Sequence, residues 1–276
     1  MTDAPTKPRT DRRQRVQSAE TGVAILKALA RLGGAASLTA IAKEVDESTA
    51  KVHRYLSSLV QEGMVAQNPS TQHYHLGAEA IQIGLAALRQ SDPIRLGESA
   101  LVRLRESLGV TTFLAVMGNK GPTVLRIEEP TLPVTVNMRA GTVMPVLWSA
   151  TGQVFLAHSD DPTLWRLAQE EFDQAPAEQR AHLAGPEPIV RLCRQVRDLG
   201  AAVVHDTMLM GISAVAAPIF DANGHPRAAL TALGASSGFD TRPGGRICPE
   251  VIREAAAISA AMGFAVATPS IELARA

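Results

Sequence analysis

The chain has 276 residues, 46% hydrophobic and 20% charged, which excludes a disordered protein and leaves room for two domains that each bury a core. No apolar run approaches the roughly 20 residues that span a bilayer, and the polar N-terminus lacks a secretory leader. Cys193 and Cys248 have no partner at metal-ligand spacing, so a cytoplasmic protein with reduced thiols, no cofactor and no metal site is expected.

The formal net charge of +0 hides an asymmetry that begins at the N-terminus. Residues 1–17 form a basic arm, in which the run from Lys7 to Arg15 sets Lys7, Arg9, Arg12, Arg13 and Arg15 against one acid, Asp11. Such an arm ahead of a folded unit can lie along phosphates or enter a minor groove, or serve only as a solubilising tail. Residues 18–77 read as one small domain. Ala19–Leu32 is a helix with Val23, Ile25, Leu26, Leu29 and Leu32 on one side, stopped by Gly33-Gly34. A second helix follows from Ser37, with Leu38, Ile41, Ala42 and Val45 inward. Asp46-Glu47 then leads into a third helix capped by Ser48 and ended at Gly63. Its inner face is Val52, Leu56, Leu59 and Val60. Its outer face carries Thr49, Lys51, His53, Arg54 and Ser57, all able to donate hydrogen bonds. Two short strands, Met64–Gln67 and His73–Leu76, surround a turn at Asn68-Pro-Ser-Thr, and Ser70, Gln72 and His73 stand at its tip. Helix, helix and β-ribbon make a winged helix-turn-helix that suits the DNA major groove, where a lone solvated helix would lack the flanking wing.

Residues 78–92 are a linker helix, with Ile81, Ile83, Leu85 and Leu88 at helical spacing. Its motion could transmit a signal, or it could simply pack. From 93 to 267 a larger domain is expected, followed by a tail over 268–276. A helix begins at Pro93. Strands follow over Val110–Met117, Thr123–Glu128, Val134–Met138, Ala201–His205, Ser213–Phe220 and Pro226–Leu233. Helices are expected at Ala150–His158, Asp160–Phe172, Glu187–Asp198 and Pro249–Gly263, with a polar, Pro-containing connection between the second and third of these. Asn223-Gly224 is a hairpin signal. Hairpins rather than strict alternation indicate an α+β chain, whose C-terminal domain has one antiparallel-rich sheet with flanking helices.

From about Ser18 to Phe264 the sequence resembles the IclR family of bacterial transcription regulators. The resemblance rests on Lys51-Val-His-Arg54 with Leu59 and Glu62-Gly63, on Arg139-Ala-Gly141 before Pro145, and on Ala150-Thr-Gly152. Above all it rests on Ala216-Ala-Pro-Ile-Phe-Asp-Ala-Asn-Gly224. It implies a winged-helix reader joined by a helix to an effector domain, a dimer or tetramer on a palindromic double-stranded operator, and a small organic acid or aromatic metabolite as effector. Where relatives often carry acidic residues this chain has Val204-His205, and near Ala214 they often have Cys. On the last pocket strand, where hydroxyls are common, it has Thr231 and Leu233.

Met138, Met144, Trp148, Met208 and Met210 fall in segments that correspond to the pocket wall, which suits an adaptable, mostly apolar site for an aromatic or larger aliphatic carboxylate. They could equally be core or interface. The expected site runs from Val136 to Thr151, with Ala150 at a helix N-terminus that favours an anion, and across His205, Met208, Ser213 and Ala214 to Thr231 and Leu233. His205 or Ser213 would add a second polar contact. An enzyme is not expected. No nucleophile elbow, Gly-rich phosphate loop or His-x-x-x-His pair occurs, and on a strand His205 and Asp206 would point to opposite faces. A ligand-independent architectural DNA binder remains the other reading.

Overall fold

The computed structural model describes residues 16–90, 92–130 and 138–265. Arg12, Arg13 and Arg15, the expected pocket residue Val136, most of the strand expected over Val134–Met138 and the tail lie outside the described residues. Packing divides the chain after Gln90 into two compact units.

The first unit contains α1 (Gln17–Arg31), α2 (Leu38–Glu44) and α3 (Thr49–Gln61). Helices α2 and α3 start in the same way. The Ser37 hydroxyl accepts from the Ala40 N–H and the Ser48 hydroxyl from the Lys51 N–H, each satisfying a backbone group with no partner inside its helix. Between them Asp46 takes φ +54, turning the chain sharply. Ile25, Leu29, Ile41, Val52 and Leu56 are wholly buried together, each worth about 1.5–3 kcal/mol of transfer free energy. Val23 and Val60 are 49% and 39% exposed, against expectation. Val23 lies two residues from Ile25, on the far side of the helix, and Leu59 fills the place by the core in the last turn of α3. A strand absent from the sequence reading, β1 (Ala35–Ala36), pairs with β3 (Tyr74–Leu76), which also pairs with β2 (Val65–Gln67). Two residues are too short to show a period. Helix α4 (Ala78–Gln90) leaves Ile81, Ile83 and Leu85 at 58%, 58% and 41% exposure, so nothing in its own unit covers them.

The second unit is built on one sheet of order β5-β4-β8-β7-β6, antiparallel at every step. Its strands are β4 (Thr111–Gly118), β5 (Gly121–Glu128), β6 (Ala202–His205), β7 (Ile212–Phe220) and β8 (Pro226–Ala235). The helices are α5 (Pro93–Leu108), α6 (Ala150–Ala157), α7 (Pro162–Gln174), α8 (Ala177–Ala181), α9 (Pro188–Leu199) and α10 (Ile247–Ala261). The short α8 falls in the segment expected to be a plain connection. Strand alternation divides the core in two. Leu114, Val215, Ala217, Ile219, Leu230 and Ala232 pack with α5 and α10 on one face. Ala216 and Ala229 pack with α6 and α9 on the other. Every residue of α6 is buried, which accounts for a sequence that is apolar all round rather than striped. Among the described residues no helix is long and apolar enough to cross a membrane.

Candidate functional site

The outer face of α3 sorts into committed and uncommitted groups. The Ser48 hydroxyl is used in capping. The Lys51 ammonium is held 2.5 Å from the Glu47 carboxylate, and Ser57 Oγ donates to the His53 carbonyl. Glu44 meets Arg31, so Glu44 and Glu47 are both paired with residues other than Arg54. Among the described residues the side chains of His53 and Arg54 are exposed and without a partner, and Thr49 is exposed at the start of the same face. On the wing, Asn68 Oδ1 accepts from the N–H groups of Ser70 and Thr71, and Gln72 adopts φ +59. The Gln72 amide is spent inside the loop, donating to the Pro69 carbonyl and accepting from Gln67 Nε2. Ser70 and His73 stand exposed beside it.

In the second unit the start of α6 meets the ends of β4, β7 and β8 around a small cavity of about 40 Å³. Its lining includes Met138, Met144, Ala150, Thr151, Met208, Ala214, Thr231 and Leu233, all anticipated from the sequence. Phe113, Ser149, Val204, Leu209 and Ile212 complete it. The wall is apolar except at its floor. There Thr151 Oγ1 and Thr231 Oγ1 lie 3.0 Å apart, both residues about 1% exposed. Two hydroxyls sharing one hydrogen bond leave one proton over, and the N–H groups of Ala150 and Thr151 meet no acceptor among the described residues. The Ser149 hydroxyl, by contrast, is used in full, donating to the Pro145 carbonyl and capping the Gly152 N–H. The cavity therefore offers donors to an occupant.

Three expected residues lie elsewhere. The Trp148 indole does not cover the cavity. Its Nε1 donates to the Glu171 carbonyl and its ring stacks on Phe172, because the Glu171 carboxylate pins the Val146 and Leu147 N–H groups and turns the following residue toward α7. His205 and Ser213 form a cross-strand pair whose side chains meet outside the lining, with Nδ1 2.8 Å from Oγ. The expected divergence of His205 and Asp206 is also overturned. Asp206 leaves the strand with φ +55, which brings its carboxylate to 3.4 Å from His205 Nε2. Asp206 also accepts from the Ser236 hydroxyl at 2.5 Å and from the Gly211 N–H. Those bonds, the Ser236 one first, hold the Asp206 carboxyl below the usual carboxylate range. Ser213 is wholly buried, so this Ser–His–Asp set presents no nucleophile. Burial pushes the pKa of the Cys193 and Cys248 thiols up, which leaves them inert.

Two of the further lining residues follow from strand pairing. Phe113 stands opposite Thr231 and Val204 opposite Ala214. Ile212 precedes Ala214 by two on one face and was legible from alternation. Phe113 was not, because β4 and β8 are more than a hundred residues apart in the chain.

Residues 18–69 match the IclR helix-turn-helix domain, and residues 85–260 match the domain described as bacterial transcriptional regulator IclR C-terminal. The chain is 26% identical to the Transcriptional repressor IclR of Escherichia coli (strain K12) over 221 residues, 79% of this chain and 80% of that one. It is 28% identical over 198 residues to the HTH-type transcriptional regulator BhcR of Paracoccus denitrificans (strain Pd 1222), covering 72% and 70%. The crystal structure of Pseudomonas aeruginosa HmgR is similar with a TM-score of 0.82 and 39% identity, over 90% of this chain and 99% of that one. Winged helix, an unpaired arginine and histidine on the outer face of its third helix and a second domain with these relatives define a DNA-binding transcription regulator. The chain belongs to the IclR family.

Proposed function

We propose that a small organic carboxylate with an aromatic or larger aliphatic body binds the cavity at the start of α6 and sets the affinity of the winged helix for its operator. The observation that carries this reading is the polarity of the lining. An apolar wall surrounds a floor that offers three donors, one threonine hydroxyl proton and two backbone N–H groups at a helix N-terminus, with neutral hydroxyl lone pairs beside them and no charged acceptor in the lining. An anion satisfies donors, and the helix dipole favours it further. Phe113, Met138, Met144 and Met208 suit the apolar body. On the DNA, Thr49, His53 and Arg54 read base edges, and Ser70 and His73 of the wing contact the backbone. The exposed Ile81 and Leu85, one turn apart on α4, supply an apolar stripe through which two copies pair, as a two-fold operator requires.

The test is calorimetric titration of benzoate and hexanoate into the full chain, with gel-shift assays on an operator selected by the protein from random duplexes. Ligands that shift operator affinity should bind the parent and lose roughly fivefold or more with Thr231→Val or Thr151→Val, each of which removes one hydroxyl. Equal binding by parent and both variants would place the ligand elsewhere. Light scattering checks the pairing, which fails if the chain is monomeric at micromolar concentration.

A further inference from the structure

A ligand pocket for a small molecule commonly holds about 300–1,000 Å³. The cavity at α6 has about 40 Å³, so nothing of benzoate size enters it as it stands. One wall is unlike the rest. Met208 and Leu209 come from the loop that joins β6 to β7, and they line the cavity while being 43% and 51% exposed. Met210 beside them is 88% exposed. Such a thin apolar wall, wet on its outer side, is the part of the lining that can move at least cost in packing.

The loop is fastened at its base and hardly at its tip. Asp206 and Gly211 close it, both left-handed at φ +55 and +83, with the Gly211 N–H on the Asp206 carboxylate. Around that base runs a ring of side chains. Asp206 Oδ1 accepts from Ser236 Oγ at 2.5 Å, Ser236 Oγ meets Ser213 Oγ at 2.8 Å, Ser213 Oγ meets His205 Nδ1 at 2.8 Å, and His205 Nε2 returns to Asp206 at 3.4 Å. The ring ties β6, β7 and the end of β8 to the loop. Beyond it the side-chain tie is Gln179 Nε2 of α8 donating to the Thr207 carbonyl. The closed form also carries a cost, because Thr207 Oγ1 is buried with no partner and would gain one on meeting water.

We propose that Asp206–Gly211 is a flap over the cavity and that the Asp206–Ser236–Ser213–His205 ring is its latch. The ligand enters when the latch yields and the Met208–Leu209 wall lifts. This rests on the reading of the cavity as the effector site, and the latch can be tested without any effector. Thr231, about 1% exposed on the cavity floor, becomes a reporter as Thr231→Cys. Its alkylation by iodoacetamide is measured against the buried Cys193 and Cys248 of the parent. Adding Ser236→Ala, or separately Asp206→Ala, should speed labelling of the engineered thiol roughly five- to tenfold, as expected for the loss of one or two hydrogen bonds. In the chain with native Thr231, either variant should speed deuterium exchange of the amides of residues 207–211 by a similar factor, with exchange in β7 and β8 unchanged. Unchanged labelling and unchanged exchange in both variants would overturn the latch. If carboxylates then bind all the same, the effector reading survives its loss. If labelling and exchange rise but neither benzoate nor hexanoate binds parent or variants, the flap stands and the effector reading falls.

Discussion

Gly152→Ala should unfold the second unit at a markedly lower temperature. A methyl at that position, in the first turn of α6, would sit 2.2 Å from the Pro145 carbonyl oxygen and 2.3 Å from that of Val146, against 3.4 Å or more for ordinary contact. The strand of chain crossing there must retreat by about 1 Å. It is not free to do so. The Glu171 carboxylate holds the Val146 and Leu147 N–H groups at 2.8 Å, and Gln153 Nε2 holds the Leu147 carbonyl at 2.9 Å. Overpacking costs about 1–3 kcal/mol, and losing one charged hydrogen bond adds about 1.5–3. The gain in helix propensity returns about 1. The net is about 3 kcal/mol, or a fall of roughly 6–12 °C for a unit of this size. Gly22→Ala is the matched control, since it stands inside α1 with nothing within 4 Å of the added methyl. It should stabilise its unit by up to about 1 kcal/mol. Calorimetric melts and urea titrations of the full chain read both. If Gly152→Ala changes stability by less than about 0.5 kcal/mol, the close crossing over α6, and with it the rigidity of that cavity wall, is refuted.

Arg54→Ala should cost about 1–3 kcal/mol of preference for the selected operator over random duplex, measured by competition gel shift. Lys51→Ala, whose ammonium is tied to Glu47, should change folding stability by about 0.5 kcal/mol and preference little. His158 is held below its ordinary pKa of 6.5 by burial and by the Arg197 charge. Its contribution to stability is therefore complete above about pH 6.5 and declines as pH falls toward the folded-state value, because the unfolded chain takes the proton first. His158→Phe, which keeps the edge-on contact with Phe220, should flatten the fall in melting temperature on the acid side of pH 6.5, and an unchanged slope would count against it. The Glu254 carboxylate, about 2% exposed, is met by Arg103 at 2.6 Å and Arg253 at 3.0 Å. Arg103→Ala leaves a buried charge short of a partner and should cost about 2 kcal/mol in urea titrations. Glu254→Leu removes the charge itself and should cost less; the reverse order would refute this account.

Much of this architecture is visible in the sequence because its signals are local. Ser37 and Ser48 announce two helix starts, Gly63 an end, and Asn223-Gly224 a hairpin, each through the backbone chemistry of a single residue. The cavity was legible as far as its segments were. Met138, Met144, Thr151 and Thr231 were assigned to a wall through the segments in which the chain resembles the IclR family, and they line the cavity. The failures are failures of direction. Trp148 stands in the expected segment, yet its indole points to the backbone carbonyl of Glu171, twenty-three residues later. The His205–Asp206 contact depends on a positive φ at a residue that is not glycine, which no period reveals. Strand β1 is invisible because two alanines carry no pattern until β3 comes to lie beside them.

Gly97, in the second turn of α5, has no side chain where the helix meets the sheet. A methyl there would fall 2.6 Å from Leu114 Cδ1, so Leu114 presses on bare helix backbone. The next residue back along β4 is Phe113, which lines the cavity on the opposite face. Phe113 and Leu114 are thus neighbours on one strand, the first facing the chamber and the second seated against α5. The thickness of one strand separates the chamber from α5. The sheet is in that respect less a partition than a diaphragm, with Phe113 bearing on the chamber from one side and Leu114 on a helix from the other.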